Sequence, residues 1–177
     1  IINGEKESGV TTFFLKQEID TGDVLFSEKV EITEEMTASD LHDALMNVGA
    51  HLLTQTVRAI EANDYQEKTQ ESFVVTELKH AQKILKEDFK INWNKSNEEV
   101  FNLIRGLSSH PTAFTDFLGK GLKIYKAEKD DKEPGISAGA FLTDHKTYLK
   151  FASKDGFICA TEIQQEGKKR MKIDEFL

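Results

Sequence analysis

The sequence predicts an α/β segment followed by a mainly-β unit with one short helix, and three observations carry that prediction. In the first third, two β-branched and aromatic runs, "VTTFFLKQ" and "VLFSEKVEI", precede one long amphipathic stretch. In the last third, five short strand-like runs alternate with turn chemistry, the pattern of a small barrel. Charge also divides the chain. Of the net −8 over 177 residues, residues 1–82 carry −10 and residues 83–177 carry +2. Such asymmetry points to two units with different partners.

Taken in order, "IING" reads as the last turn of a helix ending at Gly4, and "EKESG" as a polar connection. Strands follow at "VTTFFLKQ" and "VLFSEKVEI", with Asp20, Thr21, Gly22 and Asp23 as the turn between them. A helix begins beyond Thr37, which stands three residues before Asp40 at capping-box spacing. Leu41, Leu45, Val48, Leu52, Val57 and Ile60 form its core-facing stripe. His42 and His51 on this helix read as surface residues, because no Cys, His or carboxylate set around them has metal spacing. Residues 63–82 are mostly polar with weak periodicity and read as a linker, broken by "FVV". The predicted domains are therefore 1–62 and 83–177.

In the second domain, "SNEEVFNLIRGL" is a short helix opened by Ser96 and Glu99, with Gly106 placed to end it. Val100, Phe101, Ile104 and Leu107 supply its apolar face. The runs "TAFTDFL", "LKIYKAE", "GAFL", "YLKFAS" and "FICATEIQ" are the five strands, separated by "GKG", "EPGISAG" and "KDG" among other connections. Trp93 is placed to pack the linker or the helix onto the barrel. The single cysteine, Cys159, lies in a strand-like apolar run and cannot form an internal disulfide, which fits a reducing cytoplasm. No run approaches the ~18 apolar residues of a membrane helix.

Two features could carry chemistry. Asp20-Thr21-Gly22 has the sequence used by aspartic proteases, but those need two such aspartates sharing a proton, and this chain has one. On local chemistry alone Asp20 is a turn residue. Basic residues cluster in the second half, at Lys83 and Lys86, at Lys120, Lys123 and Lys126, and at Lys168, Lys169 and Arg170. Charge runs are mostly solvated faces, yet three clusters on one small barrel are also what a phosphate backbone requires. Tyr125 and Phe157 are core candidates that could otherwise stack on bases.

The ordered set "IINGEKESGVTTFFLKQEIDTGDVL", "KILKEDFKINW", "IRGLSSHPTAFT", "GKGLKIYKA" and "IQQEGKKRM" resembles the methionyl-tRNA formyltransferase family over nearly the whole chain. The first stretch is shared with sugar N-formyltransferases and other folate-dependent formyltransferases. The resemblance implies the end of a Rossmann-like catalytic domain and an OB-like, tRNA-gripping C-terminal domain. It implies formyl transfer from 10-formyltetrahydrofolate to the amine of methionyl initiator tRNA, without a metal, by a cytoplasmic monomer. It assigns Asp20 as catalytic and Glu18, Ile19 and Asp20 to the folate side. It assigns Lys83, Arg105, Lys120, Lys123, Lys168, Lys169 and Arg170 to tRNA. The family's catalytic Asn and His belong to an Asn-X-His motif that occurs nowhere in these residues, and its Ser-Leu-Leu-Pro signature is also missing. The expectation is therefore of a C-terminal portion, inactive by itself. The alternatives are a sugar-nucleotide formyltransferase portion and a non-catalytic RNA-binding module.

Overall fold

The computed structural model describes residues 1–19, 21–73 and 81–177. The chain folds as two compact units, one of residues 6–33 with 40–83, the other of residues 1–5 and 34–39 with 84–177.

The first unit is a two-stranded antiparallel sheet, β1 (Glu7–Phe13) and β2 (Val24–Glu31), with a long helix, α1 (Ala38–Glu61). β1 starts inside the stretch that reads as a polar connection. Glu7 pairs with Glu31, and alternation rather than composition places it in the ladder. The strand then stops at Phe13, so the connection to β2 is a ten-residue loop instead of a tight turn. Gly22 explains part of this. A Cβ there would lie 1.7 Å from the Phe14 carbonyl oxygen, so the loop closes on itself where only glycine fits.

Helix α1 packs on the hairpin through small groups. The Thr12 and Thr56 hydroxyls are 2.9 Å apart, and Thr56 donates to the Leu52 carbonyl oxygen at 2.7 Å. A Cβ on Gly49 would meet Val10 Cγ1 at 3.8 Å. The predicted apolar stripe holds as far as Leu52, which is 3% exposed, and then leaves the sheet. Val57 and Ile60 are 48% and 39% exposed. The reason is rotational: five residues at about 100° each carry Val57 roughly 140° away from Leu52, while Thr56 at four residues stays over it. Met46 and Leu53 are exposed as well. Residues 63–73 of the segment that reads as a linker pack on this unit. Lys68 bridges Val24 through two backbone hydrogen bonds, and Tyr65 meets Phe14 edge-on at 5.7 Å. Val74 and Val75 of "FVV" lie outside the described residues.

The second unit contains α2 (Asn97–Leu107) and six strands: β3 (Ala113–Phe117), β4 (Lys120–Asp130), β5 (Phe141–Thr143), β6 (Leu149–Ala152), β7 (Phe157–Gln165) and β8 (Met171–Lys172). A one-turn helix, α3 (Ile173–Phe176), follows. All five predicted strands are present, and β8 is a sixth, within the basic run. The order is β3-β4-β7-β6-β5, every neighbour antiparallel, with β8 also on β7. The sheet is curled, since Phe117 at one edge and Phe141 at the other bring their ring centroids within 4.8 Å. Phe151, Leu122, Ile124, Ile158 and Ile163 fill its concave side with Val100, Ile104 and Leu107 of α2. Trp93 lies in this core, stacked on Phe151 at 5.0 Å with its Nε1–H donating to Thr115 Oγ1 at 2.9 Å. Cys159 is half-buried on β7, where burial raises its pKa.

The α2 capping box is formed as the sequence predicts. The Glu99 N–H donates to Ser96 Oγ at 3.2 Å, and the Ser96 N–H donates to Glu99 Oε2 at 3.0 Å. Gly106, in contrast, does not terminate α2. It lies inside the helix because a Cβ would come within 2.5 Å of Ile2 Cγ1, and Ser108 is the C-cap. "IING" forms a turn in which the Gly4 N–H donates to the Ile1 carbonyl at 2.8 Å.

Two stability measurements test this packing. Phe151→Ala removes the most enclosed aromatic ring and is expected to cost about 3–5 kcal/mol in urea denaturation. The Lys95 ammonium, with the Ser96 N–H and hydroxyl, holds the Glu99 carboxyl down to about 2 from its ordinary 4.5. A depressed carboxylate stabilises the fold above its unfolded value, and that stabilisation is lost as pH falls from 4.5 toward about 2. Glu99→Gln should therefore flatten the acid limb of a stability–pH curve in that window and leave the neutral region's slope unchanged.

Candidate functional site

The first candidate is the loop between β1 and β2. Asp20 itself lies outside the described residues, and its neighbours define the frame around it. Lys16 Nζ pairs with Asp23 Oδ2 at 2.7 Å, and the Thr21 hydroxyl donates to the Glu18 carbonyl at 3.0 Å. Gln70 Nε2 donates to the Gly22 carbonyl at 2.8 Å. The Lys16 pKa is raised, chiefly by the Asp23 hydrogen bond. The loop is thus tied at both ends, while several of its described side chains stand in solvent. Glu18 is exposed, and Leu15 and Ile19 are 88% and 89% exposed. No group of three His, Cys, Asp or Glu residues that could hold a metal ion occurs among the described residues.

The second candidate is the set of cations. Lys83 is exposed and belongs to the first unit. In the second unit Lys120, Lys123, Lys168 and Lys169 are exposed, with no ion pair among the described residues. The Lys168 ammonium rests 5.1 Å from the Phe176 ring centroid. Arg170 differs from these lysines. Its Nε and Nη2 donate to Glu162 Oε1 and Oε2 at 2.7 and 2.8 Å, and its Cζ lies 4.1 Å from the Tyr125 ring centroid. This pairing raises the Arg170 pKa and lowers that of Glu162.

Arg105 requires a correction. It is 4% exposed, on the inner side of α2, and cannot meet tRNA from there. Its Nε donates to Asn102 Oδ1 at 2.7 Å and its Nη1 to the Met36 carbonyl at 3.1 Å, with the Phe101 ring 5.9 Å away. Burial lowers its pKa, opposed by Glu98 and Glu34, and a guanidinium stays charged regardless. A cation in the last turn of a helix reads as a solvated partner of the helix dipole. Nothing local in the sequence reveals that a carbonyl 69 positions earlier supplies its acceptor.

By sequence alone Tyr125 reads as a core residue. It is 9% exposed, but the cover comes from Arg170 on the outer side of the sheet. Its hydroxyl donates to Gln164 Oε1 at 2.9 Å. With Leu122 and Ile124 turned to the core, alternation puts Tyr125 on the outer face with Lys123, and a break in the β4–β7 register on either side of Lys126 brings Lys126 to that face as well, opposite Glu162. Strict alternation, the signal available in a sequence, would turn Lys126 inward and does not reveal such a bulge.

Two family profiles match the chain. The one described as "Formyl transferase, C-terminal domain" matches residues 83–177, and the one described as "Formyl transferase" matches residues 1–57. The chain belongs to the formyl transferase family. Methionyl-tRNA formyltransferase of Parabacteroides distasonis is 41% identical over 184 residues, covering 100% of this chain and 57% of that protein. The chain thus spans a little over half the length of the curated relatives it matches. Among solved structures, HypX from Aquifex aeolicus in complex with tetrahydrofolic acid aligns with a TM-score of 0.72 at 19% identity, over 99% of this chain and 31% of that one. An N-formyltransferase from Helicobacter canadensis, in complex with folinic acid and dTDP-3-aminofucose, aligns at 0.68 and 25% identity over 93% of this chain and 58% of its own. In this formyl transferase chain, no helix among the described residues is long and apolar enough to cross a membrane.

The contrast between Arg105 and the exposed lysines is measurable. Arg105→Ala breaks charge-assisted hydrogen bonds in a buried setting and is expected to lower urea stability by about 2–3 kcal/mol. Lys120→Ala should stay within about 0.5 kcal/mol of the parent protein.

Proposed function

We propose that this chain carries the C-terminal part of a methionyl-tRNA formyltransferase, which moves the formyl group of 10-formyltetrahydrofolate onto the amine of methionyl initiator tRNA. The observation that carries the reading is identity of 41% across the whole chain with a curated enzyme of that name, against 25% with the sugar N-formyltransferase structure. In this reading residues 1–62 end the catalytic domain, 63–82 are the linker, and 83–177 are an OB-like tRNA-binding domain. The curled sheet with contacting edge aromatics supports that last assignment. The enzyme acts in the cytoplasm as a monomer, without a metal.

The chemistry gives each group a task. The amine must lose a proton as it attacks the formyl carbon, the tetrahedral oxyanion needs hydrogen-bond donors, and the departing nitrogen must gain a proton. The family's Asn-X-His motif, absent from these residues, supplies the donors. Asp20 matches the third member. Its carboxylate would hold the neighbouring imidazole in the correct tautomer, stabilise its charge and accept the amine proton, directly or through water. Glu18, Ile19 and Asp20 line the folate side. The exposure of Leu15 and Ile19 fits a loop that gains apolar cover when a flat ring system docks. Lys83, Lys120, Lys123, Lys168 and Lys169 supply phosphate contacts, with Arg170 beside them.

In an enzyme with the full length of its relatives, Asp20→Asn is expected to lower kcat for formylation at least about 100-fold. The Kd for initiator tRNA should change less than about twofold, because Asp20 acts on the reacting amine. Unchanged turnover would remove Asp20 from the mechanism. Lys168→Ala with Lys169→Ala should weaken tRNA binding and reduce the slope of log K against log salt by about 2. An unaltered slope would leave those lysines as solvated surface. Formylation of a dTDP-amino sugar in place of methionyl-tRNA would favour the sugar-nucleotide reading.

A further inference from the structure

The outer face of β4, β7 and β8 concentrates positive charge around one flat group. Strand alternation puts Glu162 and Gln164 of β7 on the side opposite the buried Ile163. Across the ladders, Lys126 and Lys172 both pair with Glu162, and Lys123 pairs with Gln164. With Arg170, three cations surround the Glu162 carboxylate, and Lys123 stands one pair further along the same face. Arg170, Lys126 and Lys172 together depress the Glu162 pKa, Arg170 most of all. None of the three lysines has an ion pair among the described residues. The excess charge therefore faces solvent.

Arg170 is oriented in a way that lysines cannot be. Glu162 occupies its Nε and Nη2, and Tyr125 lies beneath its plane at 4.1 Å. Tyr125 is itself fixed by the hydrogen bond to Gln164, whose Nε2 donates to the Lys168 carbonyl at 2.9 Å. The guanidinium is thus held over the ring by the two hydrogen bonds to Glu162, yet its side chain remains 39% exposed. A surface ion pair made for stability alone is worth about 0–1 kcal/mol and does not need an aromatic floor. A guanidinium on a rigid floor, ringed by free lysines, has the chemistry of a stacking surface for a nucleobase within a phosphate-binding field.

We propose that this face is an RNA-contacting surface on which Arg170, held over the Tyr125 ring and clamped by Glu162, stacks an unpaired base while Lys123, Lys126 and Lys172 take phosphates. The proposal rests on the tRNA reading above and changes the role of Arg170 from phosphate contact to stacking platform. The charge excess selects a polyanion, and the planar clamp selects one that carries bases.

Arg170→Lys tests it, because lysine keeps the charge and removes the plane. In the full-length protein the variant should bind tRNA about tenfold more weakly, with an unchanged salt slope. It should bind heparin, a polyanion without bases, as tightly as the parent does. Lys126→Ala should instead weaken both ligands and lower the tRNA salt slope by about 1. Equal binding of tRNA by Arg170→Lys and the parent overturns the stacking role. So does a parallel loss of tRNA and heparin binding, which marks Arg170 as a charge or a fold determinant. Failure of the parent protein to bind tRNA at all overturns the tRNA reading as well, so the two failures are distinguishable.

Discussion

Strand β7 is the constraint on which the second unit depends. It pairs with β4 along one side and with β6 and β8 along the other, so three ladders share its backbone. Its two faces then diverge. Ile158, Ala160 and Ile163 are buried against the core that α2 covers, while Glu162 and Gln164 stand on the opposite side and organise the charged face. The apolar half of the strand fixes the register, and the register fixes which cations gather around Glu162. A one-residue slip would exchange the two sets.

The same coupling explains which residues are legible in the sequence. The five strands of the second unit are visible because each is a short β-branched or aromatic run bounded by Gly, Pro or Asp. The α2 cap is visible because Ser96 and Glu99 have a spacing with one physical meaning. What stays hidden depends on groups distant in the chain. Arg105 reads as a surface cation until Met36 and Asn102 are seen around it. Gly106 reads as a helix stop until Ile2 is found against it. Tyr125 reads as core from its aromatic ring, and the register break that brings Lys126 beside it on the outer face leaves no trace in composition. β8 is hidden by its own charge, being two residues at the end of a basic run.

In the first unit the limits are rotational and local. The α1 stripe is legible while its spacing keeps to three or four residues, and it fails at the five-residue step from Leu52 to Val57. The β1–β2 loop reads as shorter than it is, because Gly22 looks like a turn residue whether it closes a tight turn or packs beneath Phe14. For Asp20, the proposed role comes from the ordered resemblance and the family match, since Asp-Thr-Gly alone has the chemistry of a turn.

If the second unit meets tRNA through the outer face of β4, β7 and β8, the lysines of that face must be covered in the complex. Lysine acetylation footprinting, read by mass spectrometry with and without initiator tRNA, reports this one side chain at a time. Lys123, Lys126 and Lys172 are expected to become protected, while Lys146 and Lys154, in the connections that flank β6, keep their reactivity. Protection of Lys146 and Lys154 with Lys126 and Lys172 still reactive would contradict this placement.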